Sequence, residues 1–250
     1  MGEQVAWDYS ELAASYDRRA EYADAAINWI VTTSGVKPGD RVADLGAGTA
    51  KLAKRLAALE LTVHAVEPND NMRSHGETNT AGMPVKWSEG TGERTRLDAN
   101  TYPLVTFGSS FNVTDRGLAM AETCRILTSG GWMACLWNHR DLEDDLQSEI
   151  EGVIKASIPG YDYGNRRQDQ APILRESGLF SSIHQERFRF SVPMDSTACV
   201  DAWRSHGTLQ RQAADQFGAI IERIERVVLS RGSTIEVPYH TAVWMARKSA

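Results

Sequence analysis

The sequence predicts an α/β fold, a parallel sheet with helices on both faces. Three observations predict it. Short apolar runs alternate with helical patterns from Arg41 to Trp137, a glycine pair follows the first run directly, and an acid, Glu67, closes the second. Parallel neighbours need a crossover of a dozen or more residues, usually a helix, and the alternation supplies those crossovers. Ligands of such sheets sit at the carboxyl ends of the strands, so the functional residues are expected just after each strand.

The elements follow in order. Ala6 to Val31 reads as two helices broken near Asp17-Arg18-Arg19, with Ala25, Ala26, Trp29 and Ile30 at helical spacing. Gly35 to Asp40 is a turn punctuated by Pro38 and Gly39. Arg41–Leu45 is the first strand, Thr49–Leu59 a helix with Leu52, Leu56 and Leu59 on one face, and Thr62–Val66 the second strand. Asp70–Thr80 reads as a short helix, Val85–Trp87 as a third strand and Leu104–Phe107 as a fourth. A helix over Asp115–Leu127 is expected to stop at Ser129-Gly130-Gly131, before a fifth strand over Trp132–Trp137. Beyond it, Asp141–Ser157 is helical, Pro159–Gln170 is loop and Ile183–Val192 alternates as a strand. Ala198–Ser230 is helical with a break at His206-Gly207, and Thr234–Ala246 is the last strand. The stretch 199–230 is an insertion between the last two strands, suited to serve as a lid, and 1–34 is a helical N-terminal cover, both within a single domain over 1–250.

Composition narrows the function. The chain has 250 residues, 42% apolar and 24% charged, which is globular and sufficient for a core. No apolar run reaches the length of a spanning helix and the first residues lack an apolar signal region, so no membrane association and a cytoplasmic location are expected. A net charge of −6 disfavours a phosphate backbone, so no nucleic-acid partner is expected. Cys124, Cys135 and Cys199 are dispersed and the histidines lack ligand spacing, so reduced thiols and no metal are expected. Asp141, Glu143, Asp144 and Asp145 read as complements to the start of the next helix. A homo-oligomer is compatible with all of this.

Asp44-Leu45-Gly46-Ala47-Gly48-Thr49 joins the first strand to the first crossover helix. Gly46 and Gly48 permit a tight turn and close backbone approach, and Glu67 at the second strand tip suits the two hydroxyls of a ribose. A nucleoside-containing ligand is the reading. A dinucleotide fingerprint needs a small third residue where this chain has Lys51, and Asp44 would repel a pyrophosphate. A ligand with a cationic end, such as S-adenosylmethionine (SAM), fits better.

The run VADLGAGTAKLAKRLAALELTVHAVEPNDNM resembles the class I SAM-dependent methyltransferases, in particular their small-molecule branch with the ubiquinone-type and trans-aconitate-type enzymes. The similarity extends through EGTGERTRL, LVTFGSSFNVTD, CRILTSGGWMACLWNHRD and VPYHTAVWMARK. It implies a Rossmann-like sheet of seven strands with the last antiparallel, and SAM as cofactor. It implies that Asp44, Gly46 and Gly48 line the methionine part, that Glu67 holds the ribose and that Met72 packs near the adenine. The family often places Asp in the Gly-Asp-Ala-Glu that follows the third strand; here Thr91 stands in its place, leaving the adenine contact to Thr91 and the main chain at Gly92. Ala50 replaces a common third glycine.

The acceptor is expected over the fourth strand tip, Gly108-Ser109-Ser110-Phe111-Asn112, with Gly108 beside the cofactor and Phe111 and Asn112 as the catalytic candidates. Relatives often carry His-Trp where this chain has Asn112-Val113, so no obvious general base stands there; His139 is the nearest alternative in sequence. An amine or an ionised carboxylate needs no base, and an amine is slightly favoured. SYDRR resembles the family's segment that folds over the cofactor. Tyr16 and Arg19 are expected to meet the cofactor carboxylate, and Tyr9 and Tyr16 to line the methyl path, where aromatic faces favour a sulfonium. Trp137, Trp203, His206 and the Arg166-Arg167 pair are further candidates for the acceptor pocket. The leading reading is methylation of a small-molecule acceptor, a secondary-metabolite or antibiotic intermediate. A nicotinamide-dependent oxidoreductase and a non-catalytic nucleoside-binding module stand as alternatives.

Overall fold

The computed structural model describes residues 20–164, 167–204 and 206–249. The chain begins, within that range, with α1 (Asp24–Ser34), followed by β1 (Arg41–Leu45), α2 (Ala53–Ala58), β2 (Thr62–Val66), α3 (Asp70–Asn79), β3 (Val85–Ser88) and β4 (Tyr102–Gly108). Then come α4 (Arg116–Ile126), β5 (Leu127–Arg140), α5 (Asp145–Ser157), α6 (Ala171–Glu176) and β6 (Phe180–Asp195). The chain closes with α7 (Ser196–Arg204), α8 (Gly207–Ala213), α9 (Phe217–Leu229) and β7 (Thr234–Lys248). The described residues fall into two compact units. One comprises residues 20–137, Asp169–Arg187 and 242–249; the other comprises 138–168 and Phe188–Thr241.

Seven strands form one sheet in the order β3-β2-β1-β4-β5-β7-β6. The pairs β1–β2, β1–β4, β2–β3 and β4–β5 are parallel. Along β7 the partners run the other way: Asp141 N–H donates to Pro238 O, and Arg247 donates to Gly130 O. The last strand is therefore antiparallel to β5, as the family resemblance implied. The sheet order reverses at β1, whose neighbours are β2 and β4. This is the switch point where open parallel sheets hold ligands. In the first unit the core lies around the sheet, with Ala43, Leu45, Val105, Phe107, Met133 and Cys135 buried.

Several boundaries differ from expectation. The helix expected from Thr49 starts at Ala53, because Gly46, Gly48 and Ala50 all have left-handed backbones and extend the loop. Ser129-Gly130-Gly131 does not stop a helix. α4 ends at Ile126, Leu127 is already extended, and the glycines lie within β5. There Tyr102 pairs with Leu127 but Leu104 pairs with Trp132, so the intervening residues bulge out, with Gly130 at φ +69°. α6 was not anticipated; Pro172 near its start is a favourable first-turn residue. The helix expected from Asp141 starts at Asp145, with Asp144 capping it through Gln147 N at 3.0 Å. The insertion between the last two strands is present as α7, α8 and α9. Among the described residues no helix is long and apolar enough to cross a membrane.

Candidate functional site

The carboxyl ends of β1, β2 and β4 lie side by side, and the first of them carries the glycine loop. Gly46 N and Ala47 N both donate to Val66 O, at 2.8 and 3.1 Å, which binds the loop to the end of β2. Gly46 takes φ +66°, and a Cβ there would sit 2.5 Å from Ser110 Cβ. The glycine is thus demanded by the chain's own packing, since Ser110 fills the space beside it and donates to Leu45 O at 2.6 Å. Ala50, at the position of the family's third glycine, still takes φ +76° while fully buried. The left-handed geometry persists without the residue that adopts it at no cost.

Asp44 ends β1 at 1% exposure. Thr106 Oγ1 donates to its Oδ1 at 2.7 Å, whereas Oδ2 has no partner among the described residues. Burial pushes the Asp44 carboxyl up to about 7, with the Glu67 charge adding to the rise and the Thr106 bond and the Ala53 amide opposing it. Glu67 is buried at the end of β2 and already accepts two backbone bonds, Gly48 N to Oε2 and Asn69 N to Oε1, each at 2.9 Å. Burial raises its pKa, while those two amides and the Arg73 charge pull it down. Glu67 therefore fastens the loop of β1 to the start of α3. A carboxylate has about four lone-pair sites, so two stay available for ribose hydroxyls. A half-satisfied buried acid beside a left-handed glycine loop fits a ligand that brings a cation and a diol, which matches the SAM expectation.

Around these, Met72 is buried in the first turn of α3, its N–H held by Asn69 Oδ1 at 3.0 Å. Gly92 is buried where a Cβ would press on Thr114 at 2.9 Å and Phe107 at 3.2 Å. Thr91 is exposed and its Oγ1 accepts from Arg94 N at 3.2 Å, so it ties its own turn. Gly108 ends β4, where a Cβ would meet Tyr22 Oη at 3.1 Å and Leu52 Cβ at 3.3 Å. Phe111 is wholly buried in the core and packs edge-on against Phe107 at 5.3 Å between centroids, so its side chain packs the core. Asn112 Oδ1 accepts from Trp137 Nε1 at 2.9 Å, which fixes the amide and places Trp137 under it. Tyr9, Tyr16 and Arg19, with Trp7, Arg18 and Arg166, lie outside the described residues.

Sequence reasoning missed Tyr22, Ser109 and Glu21. Tyr22 Oη lies 2.9 Å from Ser109 Oγ, and Ser109 takes φ +61°, a strained conformation for serine at the strand tip. Glu21 Oε1 accepts from Lys51 Nζ at 3.1 Å and Lys54 Nζ at 3.0 Å, so Lys51 is a buried ion-pair partner of the segment before α1. The two lysines hold the Glu21 carboxyl below its usual range against the opposing effect of burial. The left-handed Ser109 carries no sequence signature. The Glu21 pair shows itself only once the fold brings residues 30 apart together.

Of the residues expected at the acceptor pocket, Trp203, His206 and Arg167 fall in the second unit, whereas Trp137 belongs to the first. His139, the alternative base, is a buried member of β5, with its ring 5.4 Å from that of His240. Trp203 is buried under the Arg140 guanidinium, 4.0 Å from the ring centroid, and lies 5.1 Å from His206. Arg167, a candidate for the acceptor pocket, stacks on the Tyr163 ring at 4.2 Å.

A methyltransferase domain family matches residues 43–135, the stretch from β1 into β5 that builds this site. An uncharacterised methyltransferase of Mycobacterium tuberculosis is 33% identical over 240 residues, covering 93% of this chain and 92% of that protein. A ubiquinone/menaquinone biosynthesis C-methyltransferase of Teredinibacter turnerae is 29% identical over 147 residues, 54% of this chain and 59% of that enzyme. Among solved structures, a type II methyltransferase from Anaeromyxobacter dehalogenans, so far assigned only by inference, superposes with a TM-score of 0.70 at 15% identity, over 92% of this chain and 97% of that one. A phosphoethanolamine N-methyltransferase of Haemonchus contortus, solved with S-adenosylhomocysteine and a phosphomonomethylethanolamine, gives a TM-score of 0.55 at 15% identity, over 96% of this chain and 57% of that one.

Proposed function

The chain belongs to the class I SAM-dependent methyltransferases, and from that premise we propose that it methylates a basic amine nitrogen of a small secondary-metabolite acceptor. The observation that carries the choice of acceptor is the β4 tip. Gly108 to Val113 holds no ionisable side chain, and the Asn112 amide oxygen is already engaged by Trp137. A hydroxyl acceptor needs a base to take its proton at this point, whereas an amine that has lost its ammonium proton to water attacks through the freed lone pair. The cofactor supplies an electrophilic methyl carbon on sulfur.

The chain's own residues bind, orient and shield. Asp44 Oδ2 receives the cationic amino-acid end, and the spare lone pairs of Glu67 receive the ribose hydroxyls. Met72 and the main chain at Thr91 and Gly92 flank the adenine. The main chain at Gly46, Gly48 and Gly108 runs beside the cofactor, with Gly46 leaving room for Ser110 and Gly108 for Tyr22 and Leu52. Asn112 steers the acceptor, with Phe111 buttressing the turn from the core. The family resemblance assigns Tyr9, Tyr16 and Arg19, which lie outside the described residues, to covering the sulfonium, and holding both reactants in line lowers the barrier by up to about 7–11 kcal/mol. The test is a methyl-transfer screen over matched amine, phenol and carboxylate acceptors, with the methylated atom mapped by mass spectrometry. N-methyl products are expected; products confined to oxygen or carbon overturn the amine reading.

A further inference from the structure

The second unit contains a group of polar side chains that the cofactor site does not use. On α5, Gln147 is 1% exposed, and neither its amide oxygen nor its amide nitrogen has a hydrogen-bond partner among the described residues. One turn along the same face stands Glu151, which accepts from the Tyr163 hydroxyl and pairs with Lys155 at 3.1 Å. Trp203 is 2% exposed and its indole N–H is also unpartnered. Arg140 lies over the Trp203 ring, and Arg167 lies over the Tyr163 ring with a bond to Arg140 O at 3.3 Å. The Arg167 Nε–H has no acceptor among the described residues either.

Two features of this group point the same way. Buried amides and indole N–H groups are hydrogen-bonded in the great majority of proteins, so three unpartnered donors in one unit mark a place that something else completes. The charge is also unbalanced. Neither Arg140 nor Arg167 pairs with a carboxylate among the described residues, and both lie on aromatic faces instead. Glu151 is occupied by Lys155 and the Tyr163 hydroxyl, so the group presents excess positive charge beside flat rings.

We propose that Gln147, Trp203, Arg140 and Arg167 form a binding site for the carboxylate of a small planar organic anion. The carboxylate accepts from the Arg167 and Trp203 N–H groups and the Gln147 amide, and its flat body lies among the rings of Trp203 and Tyr163. A planar guanidinium suits a planar carboxylate, and indole is a donor only, so neither group competes for a cationic ligand. Benzoate binding is read without methyl transfer, so its measurement does not depend on the amine reading.

Benzoate serves as the probe, with benzamide and benzylamine as its neutral and cationic counterparts, and calorimetric titration of the full chain as the readout. Saturable benzoate binding is expected, with benzamide and benzylamine at least about tenfold weaker. Gln147→Leu and Trp203→Phe are expected to weaken benzoate about tenfold or more each, and Arg167→Met further still. Gln147→Leu also removes an unsatisfied buried amide, so it is expected to raise the melting temperature while it loses the ligand. That combination separates a ligand site from a folding defect. Absence of saturable benzoate binding to the wild type, equal binding of benzamide, or a lowered melting temperature in Gln147→Leu with benzoate affinity intact each overturns the assignment. The last result identifies Gln147 as an amide completed by structural water.

Discussion

Replacing Asp44 by asparagine isolates a single charge at the centre of the cofactor site. The amide keeps the shape and can still accept from Thr106 Oγ1, but it cannot ionise. In the wild type the buried carboxyl titrates near 7 rather than at its ordinary 3.8. The sign for the free protein follows from linkage. The folded state holds the proton more tightly than the unfolded state, so this contribution to stability is full below the unfolded pKa. It is lost as pH rises towards about 7, and is flat above that. The step from 3.8 to about 7 bounds the loss at about 4 kcal/mol. Asp44→Asn is therefore expected to melt at a higher temperature than wild type at pH 8 and to lack the slope between pH 4 and 7. Cofactor binding runs the opposite way, because a cationic ligand prefers the ionised acid. A carboxyl titrating at 7 is about nine-tenths ionised at pH 8 and about one-tenth at pH 6, so the Kd for SAM is expected to rise about tenfold over that interval. In Asp44→Asn the affinity is expected to be lower by about ten- to a hundredfold at pH 8, the worth of a hydrogen bond to a charged group, and nearly independent of pH. Calorimetry at pH 6, 7 and 8 in buffers of different ionisation enthalpy measures both the affinity and the proton released on binding. A flat wild-type profile, or the same slope in the variant, would refute the reasoning and place the cation elsewhere.

Further outcomes are expected. Glu67→Ala should weaken SAM by more than tenfold and also lower the melting temperature, since Gly48 N and Asn69 N lose their acceptor; equal affinity in a folded variant removes Glu67 from the ribose site. Gly46→Ala should destabilise by about 1–3 kcal/mol from the Ser110 clash and the left-handed backbone, and adding Ser110→Gly should recover only the steric share in denaturant titrations. Ala50→Gly should stabilise by up to about 1 kcal/mol, the relief of about 1–2 kcal/mol of left-handed strain at φ +76° less the extra chain entropy glycine loses on folding; a loss of stability means the Ala50 methyl packs better than its strain costs. Tyr16→Ala should lower kcat more than it raises the Kd for SAM, and a large drop in melting temperature with kcat preserved would make Tyr16 a packing residue.

The sequence was most legible where local chemistry and tertiary demand agree. Arg41–Leu45 and Thr62–Val66 are strands at the expected bounds, because inner strands of a parallel sheet are buried on both faces and Val42, Ala43, Leu45, Val63, Ala65 and Val66 supply the apolar residues. The glycine loop and Glu67 were readable because their spacing reflects one strand–helix–strand unit. Legibility failed where a residue type has two uses. Ser129-Gly130-Gly131 has the composition of a helix stop, yet it serves as a bulge inside β5, a choice made by the pairing of Trp132 with Leu104. Phe111 stands next to a strand tip in sequence, but its side chain turns into the core against Phe107. Lys51 reads as a misfit against a dinucleotide fingerprint, and its partner Glu21 lies too far back in the chain for any local pattern to reveal it.

That ionic contact bears on how the protein can be handled in the laboratory. Glu21 and Tyr22 fasten the backbone to Lys51, Lys54 and Ser109, so a polypeptide joined at Ala20 departs from the rim of the cofactor loop. An affinity tag or fluorescent protein fused to a chain truncated at Ala20 would crowd the very opening under study. The opposite terminus leaves from the end of β7, where Lys248 Nζ donates to Leu127 O at 2.8 Å, at the amino end of β5 and away from the strand tips that carry the site. Appendages therefore belong at the carboxyl terminus. A small environment-sensitive dye on a cysteine introduced at position 20 would, by the same geometry, report on the loop directly.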